Sequence, residues 1–284
     1  MEVSRAVAAE RARGYVAAQA ARLRTLGPQA AVGDDEGVHD ARTATRRLRT
    51  ALGVCAPLVE GAPGLRPALQ DLGRTLGAVR DPAVELGWLR AALDSRREDD
   101  PRARARLVEN RMAARQAGLV VLRRQLRSAA HARLLAGLES VTDHAWPPDE
   151  GRILDRAARD WRQLDRALAD ADEASDDERD AALHEARGKA RCARYAAEVV
   201  GGDAAQHSAD LAAKLQETLG TQHDAVLVGA ILAEVAAQAS AAGEDTSAYE
   251  WLTELATDSA ARAERAAKRA AARVGAAGHR RWMQ

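Results

Sequence analysis

Apolar residues recur at three- and four-residue intervals along most of the chain, the period of an amphipathic helix. The pattern predicts eight helices, at roughly 3–26, 37–60, 65–94, 102–139, 150–171, 177–200, 206–241 and 247–276. Breaks are expected at Gly27-Pro28, Gly61-Ala62-Pro63-Gly64, Pro147-Pro148 and Gly201-Gly202, and a kink or restart of the third helix at Asp81-Pro82, where aspartate suits an N-cap. Short connections between long helices favour antiparallel neighbours. The expected fold is all-α, with two pseudo-symmetric antiparallel four-helix bundles. One domain of 284 residues is expected, with a first half at 1–142 and a second at 149–280.

Composition sharpens this picture. Phe is absent, β-branched residues are sparse, and alanine, leucine, arginine and acids dominate, which favours helix over strand. Two cysteines, Cys55 and Cys192, both fall within predicted helices, so neither a disulfide framework nor a cysteine metal site is expected. The first residues (Glu2, Arg5, Glu10, Arg11) lack the apolar core of a signal peptide, and no continuous apolar run reaches the ~20 residues of a membrane span. The expected compartment is the cytoplasm.

Two segments repeat in the same order. VHDARTATRRLRTAL (38–52) aligns with LHEARGKARCARYAA (183–197), and LQDLGRTLGAVRDPAV (69–84) with AAKLQETLGTQHDAVL (212–227). Such a pairing implies a duplication.

The repeats carry the chemistry. His39, Arg42, Arg46 and Arg49 stand at i, i+3, i+7 and i+10, within an arc of roughly 80° along about 15 Å of helix. His184, Arg187, Arg191 and Arg194 repeat the stripe. No carboxylate sits three or four residues from the arginines of the first stripe, so they repel one another by about 0.2–0.5 kcal/mol per pair. In the second, Glu198 is placed to neutralise Arg194, and Glu185 to pair with Lys189. A repeated, self-repelling stripe makes sense when an anion offsets the repulsion, and arginine presents a permanently charged fork to phosphate. Two roles fit His39 and His184: donation to a phosphate, or a packed structural network.

The formal charge is zero, with 42 basic and 42 acidic residues. The signs are segregated, however: residues 170–180 hold seven acids against Arg179. That run reads as a solvated linker or as a shield against nucleic acid.

At these residues the chain resembles the conserved histidine α-helical domain family, CHAD. The matching motifs are H-x-x-R-x-x-x-R-x-x-R at 39–49 and 184–194, with Tyr195 and Glu198 after the second. L-x-x-L-x-x-x-L-G-x-x-R-D runs from Leu69 to Asp81, and the second-half L-Q-x-x-L-G-x-x-x-D from Leu215 to Asp224. The resemblance spans roughly 5–280. It implies two helical bundles about a pseudo-twofold axis, a basic central groove that binds inorganic polyphosphate, and possible residence on polyphosphate granules. The implied binders are His39, Arg42, Arg46, Arg49, His184, Arg187, Arg191 and Arg194. Arg47, Arg80 and Lys189 form a second rank, and Arg123, Arg127, Lys268 and Arg269 a third. Gly188 and Cys192 stand where the family is often basic, so the second-half groove is expected to differ in outline. The catalytic triphosphate-tunnel signature E-x-E-x-K is not found, so a stand-alone binding protein is expected, without enzyme activity, cofactor or metal.

Two rivals remain. An HD-type metallophosphohydrolase would use His184, His223-Asp224 and Asp258 to hold a metal. Against it, the counterpart of His223 is Arg80, which cannot be a ligand. A nucleic-acid binder would interleave aromatics with its basic residues for stacking, whereas only Tyr195 adjoins a stripe. Specific nucleic-acid recognition and membrane association are not expected.

Overall fold

The computed structural model describes residues 5–56, 58, 59, 61–96, 100–147 and 150–283. Among them the elements are α1 (Arg5–Val32), α2 (Asp35–Cys55), α3 (Ala62–Ser95), α4 (Pro101–Leu126), α5 (Ala129–Ser140), α6 (Glu150–Glu173), α7 (Asp176–Val200), α8 (Asp203–Ala241) and α9 (Ser247–Gly275), then a 3-10 segment, Ala277–Met283. No strand occurs among the described residues, and the fold is all-α. The expected Pro148 break lies outside the described residues.

Three expected boundaries move, two through tertiary contacts and the third through a local cap. α1 continues through Gly27-Pro28 to Val32, because α4 tends its C-terminal carbonyls: Arg123 Nε donates to Ala31 O at 2.7 Å and an Arg115 NH2 nitrogen to Gly33 O at 2.6 Å. α3 continues through Pro82. Proline has no donor for the carbonyl of Ala78, four residues back. Gly118 of α4 comes against that carbonyl so closely that a Cβ there would stand 2.4 Å from the oxygen. The single helix expected over 102–139 breaks at Arg127-Ser128, where Ser128 Oγ accepts from His131 N at 3.1 Å and caps α5. The acidic run at 170–180 includes the start of α7, where Asp176, Asp177 and Glu178 complement the helix dipole.

Consecutive helices pack side by side, α1 to α4 in the first half and α6 to α9 in the second. The cores do not divide along that line. The larger one joins Leu23 of α1, Leu48 and Leu52 of α2, Leu72 and Leu76 of α3, Trp161 of α6 and Leu215 of α8. Each fully buried leucine there contributes roughly 1.5–3 kcal/mol. Across this layer α2 and α7 touch. Both helices bury alanines (Ala41, Ala44 and Ala51 on α2; Ala186, Ala190 and Ala193 on α7), small side chains that let two backbones approach. The smaller core joins the far ends of α3 and α4 (Leu89, Leu93, Leu107) to those of α8 and α9 (Val228, Leu232, Leu252). An Arg106–Glu244 ion pair at 2.5 Å clips it shut.

By length and composition α8 could cross a membrane, with a mean hydropathy of 1.4 in its most apolar window. In the fold its leucines and valines serve both cores. The C-terminal segment docks on α6 and α8: Arg280 forks onto Asp165 (2.6 and 2.8 Å), and Trp282 Nε1 donates to Ser208 Oγ at 2.8 Å.

Candidate anion-binding cavity

Between the two cores, the middle stretches of α3 and α8 flank a cavity of about 540 Å³ whose other walls are α2 and α7. α2 supplies His39, Arg42 and Arg46; α7 supplies His184, Arg187 and Arg191; α3 and α8 face each other with Arg80 and His223. The two stripes thus meet in one space. Five arginines line it against three carboxylates, Asp81, Glu85 and Asp224, and Glu85 is already held by Arg111 of α4 at 3.0 Å.

The two halves build their walls alike. Arg42 pairs with Asp81 on α3 through contacts of 2.5 and 3.5 Å, and Arg187 lies 3.8 Å from Asp224 on α8. Beneath each guanidinium is the glycine of the repeated Thr-Leu-Gly. A Cβ on Gly77 would stand 3.3 Å from Arg42, and one on Gly220 3.6 Å from Arg187. Glycine there leaves room for an arginine to lie across the neighbouring helix.

Arg46 and Arg191 differ. Among the described residues neither makes an ion pair or hydrogen bond, yet both are only partly exposed. Burial, then the charges of Arg42 and Arg191, pull the Arg46 pKa down to about 9, which still leaves it charged at neutral pH. Burial likewise lowers Arg187, against the pull of Asp224, and lowers Arg49, helped by Arg191. Burial and Arg80 push His39 below its ordinary value, and burial followed by Arg187 and His184 takes His223 down to about 4. His184 and His223 share a hydrogen bond between their Nδ1 atoms at 3.2 Å. One ring must donate and the other accept, so at most one is cationic. The cavity therefore holds excess, poorly solvated positive charge.

Not every sequence candidate arrives there. Arg49 lines an adjoining groove with Arg42, Arg46 and Arg191. Arg47 and Arg194 are spent on Glu198, at 2.9 and 3.2 Å and at 2.9 Å, and flank the buried ring of Tyr195. Lys189 pairs with Glu185 at 3.0 Å and is not among the cavity residues. Arg123 caps α1, Arg127 caps α4, and Lys268 sits 3.7 Å from Glu264; none of these three, nor Arg269, lines the cavity. Of the metal set, His184 and His223 meet, but Asp224 faces Arg187, and Asp258 is exposed on α9 and not part of the cavity. No three His, Cys, Asp or Glu side chains among the described residues could hold a metal ion together. Sequence reasoning missed the role of Asp81 and Asp224 as arginine partners, although their matched places in the repeat were the available signal.

A family model described as the CHAD domain matches residues 14–233. The chain belongs to the CHAD family. The uncharacterized protein MT2285 of Mycobacterium tuberculosis (strain CDC 1551 / Oshkosh) is 32% identical to this CHAD protein over 241 residues, covering 80% of this chain and 46% of the relative. The uncharacterized protein Rv2226 of strain ATCC 25618 / H37Rv matches to the same extent. The chain thus spans about half the length of these curated relatives. Among solved structures, PptA from Streptomyces chartreusis superposes with a TM-score of 0.76 at 20% identity, covering 93% of this chain and 99% of that one. The CHAD domain from the plant Ricinus communis gives 0.70 at 22%, covering 94% and 91%. At these identities the likeness is one of fold.

Proposed function

We propose that this CHAD protein binds inorganic polyphosphate in the cavity between α2 and α7, as a binding module without turnover, which would place it on polyphosphate granules in the cytoplasm. The carrying observation is the pair Arg46 and Arg191: two charges from the touching helices α2 and α7 that line one cavity, partly buried and without partners among the described residues. An anion with oxygens on both sides relieves both at once, through charge-assisted hydrogen bonds. A linked chain of phosphates outcompetes orthophosphate because one ordering cost serves every contact.

Nucleic acid is the weaker ligand on this reading. The cavity lining contains no Trp or Tyr, and Tyr195, the aromatic beside the second stripe, is 3% exposed and offers no stacking face.

The test is a calorimetric titration with long-chain polyphosphate at 50 and 500 mM salt. Release of counterions from about four engaged arginines lowers affinity by roughly a thousandfold over that range, by analogy with nucleic acids. Equal affinity at both salt concentrations would rule out the electrostatic mechanism.

Acid is expected to strengthen binding. His39 and His223 titrate below their ordinary values in the free protein, so both are largely neutral at pH 7. A polyanion favours their protonated forms, binding takes up protons, and affinity rises as pH falls from 7.5 to 5.5. The unliganded fold responds oppositely. The unfolded chain binds more protons between its ordinary histidine pKa, about 6.5, and the lowered folded values, so stability present above that window is lost as pH falls through it. Titrations of wild type and His39→Gln/His223→Gln check this: the variant's affinity should change less with pH, and parallel profiles would exclude the histidines.

A further inference from the structure

We propose that a long polyphosphate leaves the cavity in one direction, over α2 and α3, along a basic groove that is neutralised at the corresponding place on α7 and α8. This rests on the cavity being a polyphosphate site, and adds a polarity that the repeat alone would not give.

The groove, of about 320 Å³, is lined by Arg49, Gln70 and Arg74, and shares Arg42, Arg46, Arg191 and one carboxylate, Asp81 (already paired with Arg42), with the cavity. The unpartnered Arg46 and Arg191 therefore stand where the two spaces meet. Arg49 makes no ion pair or hydrogen bond among the described residues, and Arg66, lying over Gly53, adds its charge nearby. Arg74 is largely exposed and pairs with Asp71 one turn earlier on α3, a surface contact that a phosphate can displace at little cost.

Two of the three aligned positions on the second half carry the opposite charge. Arg49 corresponds to Arg194, Arg74 to Glu217, and Asp71 to Lys214. The surface hollow they line, of about 490 Å³, also contains Asp210. Arg194 is held by Glu198, whose side chain is only 11% exposed, and Asp210 adds an acid. Lys214 and Glu217 form an exposed pair at 2.8 Å like that of Arg74 and Asp71, so the asymmetry lies in the free Arg49 against the bound Arg194. A polyanion emerging from the cavity meets free arginine on one side and carboxylates on the other.

Phosphates beyond those the cavity holds therefore settle on Arg49 and Arg74. Titrations with tripolyphosphate and with long-chain polyphosphate separate the two regions. In Arg49→Gln/Arg74→Gln, long-chain affinity should fall by about tenfold while tripolyphosphate affinity changes by less than about twofold. The mirror variant, Arg194→Gln/Lys214→Gln, should leave both ligands within about twofold. If it proves poorly folded, Lys214→Gln alone makes the same comparison. Equal long-chain losses on the two sides, or no loss in Arg49→Gln/Arg74→Gln, would overturn the polarity while leaving the cavity reading intact. A wild type that binds neither ligand would overturn both.

Discussion

Replacing Arg46 and Arg191 together by alanine should weaken long-chain polyphosphate binding by about a hundredfold and, in the same protein, stabilise the unliganded fold by about 1 kcal/mol. The signs differ because the two arginines do nothing for the free structure. Arg46 is partly buried beside Arg42, Arg187 and Arg191, all cationic, with no carboxylate bonded to it. Removing it and Arg191 relieves repulsion and returns no buried acid to an unpaired state. Once a polyanion is present the same charges become its main attachment, each charge-assisted bond contributing about 1.5–3 kcal/mol. Calorimetric titration gives the first effect and denaturant unfolding the second. Lost affinity accompanied by lost stability would mean that the arginines are structural, and would remove the main argument for a ligand.

The largest stability effect should come from a residue outside the cavity. Glu198 is buried to 11% side-chain exposure and accepts hydrogen bonds from Tyr15 of α1 at 2.7 Å, from Arg47 of α2 at 2.9 and 3.2 Å, and from Arg194 at 2.9 Å. It thus ties α7 to the first two helices of the other half. Burial works against the Arg47 charge, but the hydrogen bond and charge of Glu198 outweigh it and hold that pKa above its ordinary value. Burial, reinforced by Glu198, raises the Tyr15 hydroxyl. Glu198→Ala would leave two arginines and a phenol half-buried without their acceptor, a loss of about 3 kcal/mol. Unfolding in urea measures it, and the folded variant should still bind polyphosphate. A loss below about 1 kcal/mol would show that the network is dispensable.

The helices and the stripes were legible because both are short-range. The spacing of His39, Arg42, Arg46 and Arg49 fixes a common face on any α-helix, and the structure places that face on one line of cavity and groove. Arg47 falls outside that arc, which agrees with its turning toward Glu198. Arg194 shares the face yet is diverted by Glu198 four residues later, a pairing visible in the sequence. Contacts made between helices were not legible. That α1 runs through Pro28 depends on Arg115 and Arg123 reaching its last carbonyls from α4. That α3 runs through Pro82 goes with a glycine 36 residues later, Gly118, against the carbonyl of Ala78. The partners of Arg42 and Arg187 likewise sit on neighbouring helices, where periodicity gives no register.

The most direct measurement is a titration of long-chain polyphosphate into wild type and Arg46→Ala/Arg191→Ala at near-physiological salt, with RNA present at an equal concentration of phosphate. The account predicts tight wild-type binding that RNA barely displaces and that collapses in the variant. Undetectable wild-type binding, or displacement of polyphosphate by RNA in proportion to its phosphate, would contradict it.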